Sequence, residues 1–457
     1  MTVVVKFGGT SVADAAAVTR AAEITRSRLA RSPIVVVSAL GGATNDLLAI
    51  ADQAWRGQLI GALGGVEALR TRHLEAAALL VPAGHQLDDL CGELSAMCDE
   101  LANLAEALSV LGHLTLRSQD AIASIGENLS SHLVAAAFAT LSLPVTLVDA
   151  RSVMITDDSY GAAAPRLEAI ASAARTVLLP LLHDGRVPLL GGFIGCTEQG
   201  VTTTLGRGGS DYSASLIGAA VDAEAIEIWT DVDGMLTADP RAVGGARVIS
   251  QIRFDEAAEL AAFGAKVLHP NTIAPAVRRG IPVYIYNSKR PAGQGTLITA
   301  DAPRRQVSAI AGKAGITIVR VRSSRMLLAH GFLRRLFEIF ERHRTPVDVV
   351  ATSEISVSVT VDDPGRLDAL LVDLSALGDV TVERNRAIVA IVGAALGGHS
   401  RAMARALDAL GDIPVRMISL SATEINLTII IDAEQLLPGI RALHAAFFDE
   451  GEEGDER

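Results

Sequence analysis

Alternation between short apolar runs and helical patterns is the feature that most constrains the fold of this chain. It extends from Thr2 to about residue 287, and a different pattern follows it. Strands are predicted at Val3–Val5, Ile34–Val37, Val145–Val148, Val187–Leu190, Ile226–Trp229 and Val283–Tyr286, and helices begin near Val12, Asn45, Ser118, Pro165, Ser210 and Asp255. The pattern predicts an α/β fold, with a mainly parallel sheet between helical layers and a ligand site at the carboxyl ends of its strands.

The rest of the chain shows three other patterns. Residues 50–113 are rich in Leu and Ala and predict a helical excursion without catalytic groups. Lys289 to Arg305 is predicted to be a linker. Beyond it, two weakly similar βαββ units are predicted. We therefore expect a catalytic domain at 1–290, α+β domains at 306–385 and 386–449 that can interweave, and a disordered acidic tail at 450–457.

Composition narrows the classes of function. The chain has 457 residues, of which 49% are apolar, and its formal net charge is -12. This charge gives no electrostatic footprint for nucleic acid or an anionic membrane, and no apolar run reaches membrane-spanning length. Cys91, Cys98 and Cys196 lack CxxC spacing, so neither a disulfide framework nor a zinc site is expected. We predict a cytoplasmic protein with no nucleic-acid or membrane partner.

A Gly-Gly turn follows the first predicted strand, in the segment KFGGTS from Lys6 to Ser11. Backbone N–H groups, a helix N-terminus and the Lys6 ammonium could together hold a phosphate there. The alternative is a structural turn capped by Thr10 or Ser11. A lysine at the end of a core strand costs free energy unless an anion meets it, which favours a phosphate site. Walker A, Rossmann, protein-kinase and nucleophile-elbow signatures do not occur.

A second Gly-rich loop, LGRGGSD from Leu205 to Asp211, precedes another predicted helix. Arg207 can form a bidentate pair with a substrate carboxylate, a geometry that lysine cannot offer. The alternative is a glycine loop with Ser210 as the helix N-cap, which leaves the arginine without a use. Glu127 lies in a mostly apolar helical segment and needs a partner, either a substrate ammonium or a buried cation.

Two further motifs are weak on their own. TDVDG at 230–234 and TADPR at 237–241 follow a predicted strand and could hold nucleotide and metal-bound phosphate, although Asp-Gly turns are common. FGAKVLHP at 263–270 supplies another lysine, Lys266, near a helix end, where lysine often only caps the helix.

Taken together, the motifs resemble the aspartate kinases (aspartokinases) of the amino acid kinase family. KFGGTSVAD, Ser38-Ala39 with Thr44-Asn45, Gly126-Glu127, TTLGRGGSD, WTDVDGMLTADPR and FGAKVLHP occur in the order of that family. The region from Met326 to Ser356 is similar to the first ACT domain of the monofunctional, lysine-sensitive type. The resemblance implies an amino acid kinase fold followed by two α+β, ferredoxin-like ACT domains.

The resemblance also implies roles for individual residues. Lys6, Asp211 and Lys266 would be catalytic, Asp211 by organising the lysines or the substrate amine. ATP would be bound by Lys6, Gly8, Gly9, Thr230, Asp231, Leu236, Arg241, Lys266 and Val267. L-Aspartate would be bound by Thr44, Glu127, Arg207, Gly208, Gly209 and Ser210. Mg2+ would be held mainly through ATP, without a dedicated protein site.

The implied effector pocket lies in the first ACT domain. Its residues would be Met326, Ala329, Phe332, Leu333, Pro346, Val347, Asp348, Ser353 and Glu354. Ala329 and Pro346 replace serines of the lysine-sensitive type, so we expect lysine to bind weakly or another amino acid to take its place. The ACT domains would also pair chains into a homodimer or a dimer of dimers.

The implied reaction is in-line transfer of the ATP γ-phosphoryl group to the β-carboxylate of L-aspartate, which gives 4-phospho-L-aspartate and ADP. This would be the first step of the route to lysine, diaminopimelate, threonine and methionine, under feedback regulation through the ACT domains. Two alternatives stay open from sequence. One is another amino acid kinase, for glutamate or acetylglutamate, and the other is a non-catalytic ACT-type amino-acid sensor.

Overall fold

The computed structural model describes residues 1–264, 270–327, 330–362, 365, 367–396 and 400–449. The chain divides into two compact units, the first comprising Met1–Met235 and Val267–Ala302, the second Leu236–Lys266 and Pro303–Arg457. Four features predicted from sequence lie outside the described residues: Lys266, Val267, Ala329 and the acidic tail at 450–457.

A mainly parallel sheet forms the centre of the first unit. Its strands are β1 (Val3–Phe7), β2 (Pro33–Val37), β3 (Val145–Leu147), β4 (Val187–Gly191), β7 (Ala225–Thr230), β9 (Val283–Asn287) and β10 (Thr296–Ile298), in the order β3-β4-β2-β1-β7-β9-β10. All neighbours pair in parallel except β10, which is antiparallel to β9. A separate hairpin contains β5 (Ile194–Cys196) and β6 (Thr202–Thr204). β1 and β2 are buried along their whole length, as expected for β-branched strands covered on both faces.

Helices cover this sheet, and their bounds follow the predicted periodicity. They are α1 (Ala15–Arg26), α2 (Ala43–Trp55), α3 (Leu59–Leu80), α4 (His85–Leu111), α5 (Leu116–Thr140), α6 (Leu167–His183), α7 (Gly209–Ala220) and α9 (Ala274–Arg279). The predicted helical excursion is confirmed, because α2 to α5 share one core that contains Leu47, Leu94, Leu101 and Leu129. None of the described helices is both long and apolar enough to cross a membrane.

The second unit contains a six-stranded antiparallel sheet. The helices and strands of the second unit are β8 (Gln251–Ile252), α8 (Phe254–Ala262), β11 (Ala309–Arg322), α10 (Phe332–Arg342), β12 (Val350–Thr352), β13 (Ser356–Val361), α11 (Leu367–Ser375), β14 (Asp379–Val392), α12 (Ser400–Leu410), β15 (Met417–Leu420), β16 (Asn426–Asp432) and α13 (Leu436–His444). The strand β8 does not belong to the six-stranded sheet. The sheet order is β12-β13-β11-β14-β16-β15. The two predicted repeats are therefore present, each a strand, a helix, two strands and a further helix.

The two repeats share their longest strands. The second half of β11 pairs with β13 on one edge and with the first half of β14 on the other. The second half of β14 pairs with β16. Val319 and Val321 lie in one core, and Ile310 at the start of β11 lies in the other. Each long strand thus contributes to both cores, and the predicted division at 385 and 386 falls within β14.

Several sequence predictions require correction. The segment predicted as a linker contains β10, whose three residues are too short to show a period. The sequence pattern predicts that the first strands of the two repeats begin at Ile316 and Ala387, but they begin at Ala309 and Asp379, because alanine, glycine and polar residues at 309–315 and 379–386 mask their alternation. Residues 236–264, predicted as part of the catalytic domain, group with the second unit, where Ala238 and Ala242 lie in the core around Ile310 and Leu443.

Gly393 offers a test of this packing. A Cβ atom at Gly393 would lie 2.0 Å from the backbone carbonyl oxygen of Gln306, which cannot move away as a side chain could. We expect Gly393→Ala to lower the free energy of unfolding by about 1–3 kcal/mol in urea titrations. Gly244→Ala is the matched control, since a Cβ there meets no atom within 4 Å. Equal stability of the two variants would contradict the close approach at Gly393.

Candidate active site

One cavity in the first unit brings together most of the residues predicted to bind substrate. Its volume is about 660 Å³, and it opens where β1, β2 and β4 end. The predicted residues that line it are Lys6, Gly9, Thr44, Glu127, Arg207, Gly208, Gly209, Ser210 and Asp211. Parallel strands present their carboxyl ends on one edge, so motifs separated by about two hundred residues in the chain meet there.

Lys6 forms a buried ion pair with Asp211. The Lys6 Nζ atom lies 2.6 Å from Asp211 Oδ1, and the two side chains are 9% and 15% exposed. Asp211 lies in the first turn of α7, where the helix dipole favours a carboxylate. The anion that a buried lysine requires is therefore supplied by the chain itself. Because an ammonium has three donors, Lys6 keeps capacity for a further anion.

Glu127 is a deeply buried acid of the cavity. It lies on α5 and is 3% exposed, and burial raises its pKa to about 8. A hydrogen bond from the backbone of Ala39 and the charge of Lys6 oppose this rise only in part. Its Oε2 atom has no hydrogen-bond partner among the described residues. A cationic group entering the cavity would satisfy this oxygen and favour the ionised carboxylate.

Two helix N-termini also face the cavity. Gly42 caps α2 with φ of 90°, and Gly208 caps α7 with φ of 72°, a left-handed conformation that glycine adopts without strain. Neither cap supplies a side-chain hydrogen bond. The N–H groups of Ala43 and Gly209 donate to the carbonyls of Leu40 and Gly206, and the N–H groups that follow them in each first turn are left for a ligand. Ser210 lies inside the first turn of α7, and the alternative that it is the N-cap is therefore wrong.

Arg207 occupies the loop between β6 and α7. Its side chain is exposed to the cavity, and within the described residues it makes no ion pair with a carboxylate. Arg207 is thus a cation placed beside two uncapped helix N-termini. These features suit an anion rather than an apolar ligand.

The strand ends beside this cavity carry the residues predicted to bind nucleotide. Gly8 N–H donates to the carbonyl of Trp229 over 3.0 Å, and Ser288 N–H donates to the carbonyl of Thr230 over 2.8 Å. The hydroxyl of Ser11 donates to that of Ser288 over 2.7 Å. These bonds tie the ends of β1, β7 and β9 together, so that Gly8, Gly9, Thr230 and Asp231 lie along one edge.

The remaining predicted nucleotide residues are placed differently. Leu236 and Arg241 belong to the second unit, where Leu236 bridges to Val248 and Arg241 pairs with Asp239 at 2.6 Å. The Arg241 side chain is 87% exposed.

Several residues that line the cavity were not predicted from sequence, among them Asp120, Gly161 and Phe193. Asp120 precedes Glu127 by seven residues, which is two helical turns, so the spacing of two acids on one face of α5 was a usable signal. Phe193 has φ of 65°, a feature that sequence does not reveal.

The predicted effector residues occupy two places in the second unit. Phe332 is buried, and Met326 and Val347 pack against the same core. Leu333 and Pro346 are exposed, while Ser353 and Glu354 lie at the turn between β12 and β13, where Ser353 N–H donates to the carbonyl of Ser356.

Asp348 lies in a cluster of charged groups. The Lys313 ammonium is 3.9 Å from the Asp348 carboxylate and pairs more closely with Asp362. Burial, followed by a hydrogen bond with Asp362 and its charge, raises the pKa of Asp348 to about 6. Lys313 was not predicted from sequence.

Comparisons with known proteins agree with this geometry. The amino acid kinase family matches residues 1–287, and an ACT domain matches residues 389–447. Lysine-sensitive aspartokinase 3 of Escherichia coli K12 is 38% identical, over 98% of this chain and 99% of its own length. The chain belongs to the aspartokinases of the amino acid kinase family.

Two solved structures are similar to this family member over nearly its full length. E. coli aspartokinase III with aspartate and ADP, in the R-state, has a TM-score of 0.86 and 37% identity, over 98% of this chain and 100% of that one. The same enzyme with lysine and aspartate, in the T-state, has a TM-score of 0.82 and 37% identity, over 98% and 99%. The predicted fold and family are therefore confirmed.

Glu127 should make stability fall as pH rises. Its usual pKa is 4.5 and its folded pKa is about 8, so between these values the folded state retains a proton that the unfolded state has lost. We expect the free energy of unfolding of the ligand-free protein, relative to Glu127→Gln, to decrease by at least about 1 kcal/mol between about pH 5 and pH 8.

Urea titrations of both proteins at the two pH values measure this difference. Glu106→Gln, at an exposed position on α4, is the control and should track the wild type at both. A pH-independent difference between wild type and Glu127→Gln would contradict the raised pKa.

Proposed function

We propose that this chain transfers the γ-phosphoryl group of ATP to the β-carboxylate of L-aspartate, giving 4-phospho-L-aspartate and ADP. The observation that carries the proposal is that one cavity contains a buried acid, Glu127, with one oxygen that has no hydrogen-bond partner, and a cation, Arg207, that pairs with no carboxylate of the described residues. An amino acid with an acidic side chain carries the complementary charges, an ammonium for Glu127 and a carboxylate for Arg207. The E. coli relative that binds aspartate and ADP supports the same substrates.

Aspartate would be held by its charged groups. Glu127 would accept hydrogen bonds from the substrate ammonium, and Arg207 would bind a substrate carboxylate as a bidentate pair. Thr44, Gly208, Gly209 and Ser210 would complete the site at the N-termini of α2 and α7. Fixed groups on rigid elements orient the attacking oxygen with little loss of entropy during the reaction.

ATP would lie along the adjoining strand ends. Lys6 and the amide of Gly9 would contact its phosphates, and Gly8, whose own N–H donates to the carbonyl of Trp229, would let them approach the backbone closely. Thr230 and Asp231 would lie beside the nucleotide. Roles for Leu236, Arg241, Lys266 and Val267 remain part of the proposal. Mg2+ would be held mainly through ATP, without a dedicated protein site. When bound, Mg2+ would neutralise phosphate charge.

Charge placement, rather than a general base, would accelerate the transfer. A carboxylate is already ionised at neutral pH, so no proton need be removed from the attacking group. Lys6 would stabilise charge on the transferring phosphoryl group, while Asp211 holds its ammonium at 2.6 Å. Asp211 is therefore proposed to organise Lys6.

The alternative substrates fit less well. Acetylglutamate has no ammonium and would leave the Glu127 carboxyl without a cationic partner. Glutamate is longer by one methylene, which would misplace the attacking oxygen relative to the ammonium. A non-catalytic amino-acid sensor would not need the ion pair of Lys6 and Asp211 beside the cavity.

A steady-state assay tests the function directly. ADP release should depend on aspartate, and hydroxylamine should trap the acyl phosphate as a hydroxamate. Glutamate and acetylglutamate should each support less than about 1% of the kcat/KM of aspartate. A preference for either of them, or no turnover with any of the three, would overturn the proposal.

Arg207→Lys separates the two substrates. The charge remains but the bidentate geometry is lost, so KM for aspartate should rise about tenfold while KM for ATP changes less than about threefold. Arg117→Lys, at an exposed position on α5 outside the cavity, should leave both values unchanged. Equal effects of Arg207→Lys on both substrates would remove Arg207 from the aspartate site.

We further propose that the first ACT repeat binds an amino-acid effector. Uncapped backbone amides at the start of α10 would bind its carboxylate, and Asp348 would accept hydrogen bonds from its ammonium. Met326, Phe332, Leu333, Val347, Ser353 and Glu354 would complete the pocket. The lysine complex of the E. coli relative supports an effector of this chemical class. Pairing of chains through the ACT repeats, as a homodimer or a dimer of dimers, is part of this proposal.

Asp348→Ala tests the effector site. We expect inhibition by lysine, threonine or methionine, whichever acts on the wild type, to be lost in this variant. Asp412→Ala, at an exposed position after α12, should keep it. Because the pKa of Asp348 is about 6, inhibition of the wild type should also weaken as pH falls through about 6. Inhibition that persists in Asp348→Ala would place the effector elsewhere.

A further inference from the structure

Asp120 is a fully buried acid at the edge of the candidate active site. It lies on α5, two helical turns before Glu127, and is 2% exposed. It lines the same cavity as Glu127 and Arg207. No lysine or arginine among the described residues forms an ion pair with it. A buried carboxylate without a cation must be stabilised by hydrogen-bond donors.

Those donors come from two separate segments. Asp120 Oδ1 accepts the hydroxyl of Thr204 at 2.7 Å, and Oδ2 accepts the backbone N–H of Thr204 at 3.1 Å. The backbone N–H of Gly161 reaches both oxygens, at 3.1 and 2.9 Å. A single carboxylate therefore joins the loop at residues 157–164 to the last residue of β6.

β6 leads directly into the Arg207 loop. Gly206 has φ of 75°, and a Cβ atom there would lie 3.2 Å from the carbonyl oxygen of Gly161. Ala163 N–H also donates to the carbonyl of Thr204 over 2.9 Å. The loop that carries Arg207 thus begins from a point held on one side by Asp120 and on the other by the segment around Gly161.

An asparagine could not replace this acid equivalently. All of the donors at Asp120 are N–H or O–H groups, and both carboxylate oxygens accept them. The amide NH2 of an asparagine would turn one acceptor into a donor and place it against a backbone N–H. Hydrogen bonds to an ionised acceptor are also stronger than neutral ones.

We propose that Asp120 is a positioning residue that sets the place of Arg207 for recognition of the substrate carboxylate. This inference rests on the proposed role of Arg207 in aspartate binding. Asp120 itself acts through Thr204 and the loop start and does not touch the reacting atoms. Its loss should therefore affect aspartate more than ATP.

The test uses the full-length chain. Asp120→Asn should raise KM for aspartate by about tenfold or more, with KM for ATP changed less than about threefold. Thr204→Val removes only the hydroxyl bond and should shift KM for aspartate in the same direction, whereas Thr204→Ser should restore it. If Asp120→Asn fails to fold, the Thr204 pair decides the question alone.

Asp157→Asn is the matched control. Asp157 accepts backbone N–H groups of Ser159 and Ala164 in the same 157–164 loop, but it does not line the cavity. Its replacement should leave KM for aspartate within about twofold of wild type. An equal rise in Asp157→Asn and Asp120→Asn would show that general order of the loop is what matters and would overturn the proposal.

Arg207→Lys separates failure of this inference from failure of the proposed aspartate site. A raised KM for aspartate in Arg207→Lys, with wild-type values in Asp120→Asn and Thr204→Val, would overturn the role of Asp120 and leave the site intact. Wild-type values in Arg207→Lys would overturn the role of Arg207, and with it this inference.

Discussion

The buried pair of Lys6 and Asp211 is the interaction on which the candidate site depends. Lys6 is the next-to-last residue of the central strand β1, and Asp211 lies in the first turn of α7, so their contact at 2.6 Å links the sheet to the helix that follows the Arg207 loop. A buried ammonium and a buried carboxylate are each costly alone, but together they compensate one another. The pair therefore holds a cation at the strand edge while the rest of the cavity is open to anions.

Charge in the cavity is divided between satisfied and unsatisfied groups. In the part of the chain that the structure describes, Lys6 pairs with Asp211 and Asp120 accepts backbone and hydroxyl hydrogen bonds, whereas one oxygen of Glu127 has no partner and Arg207 pairs with no carboxylate. The satisfied groups define the architecture. The unsatisfied groups, Glu127 and Arg207, would pair with a ligand that carries an ammonium at one point and a carboxylate at another.

Local patterns predicted the elements around the site well, because strand and helix periods depend on neighbouring residues. The rule that parallel strands end on one edge predicted the place of Lys6. Glu127 on α5 and Arg207 after β6 were joined to it by the resemblance to aspartate kinases, not by that rule. The spacing of Asp120 from Glu127 could have marked it as a residue of the site, but its contact with Thr204, and that of Lys313 with Asp362, join residues distant in the chain and could not be found from local patterns. The grouping of residues 236–264 with the ACT repeats was missed for the same reason, because it depends on the core around Ile310. The predicted cytoplasmic location and homo-oligomer remain predictions.

The shared strands of the two ACT repeats constrain the order in which the chain can fold during synthesis. β11 pairs with β14 along nearly its whole length, so one edge of β11 stays open until residues 379–392 have been made. Residues 236–264, translated earlier still, must wait for the strands that cover Ala238 and Ala242. A chain truncated between the two repeats would not fold into a shorter protein with one intact ACT repeat. It would present a long, β-branched, unpaired strand edge, which is a template for aggregation.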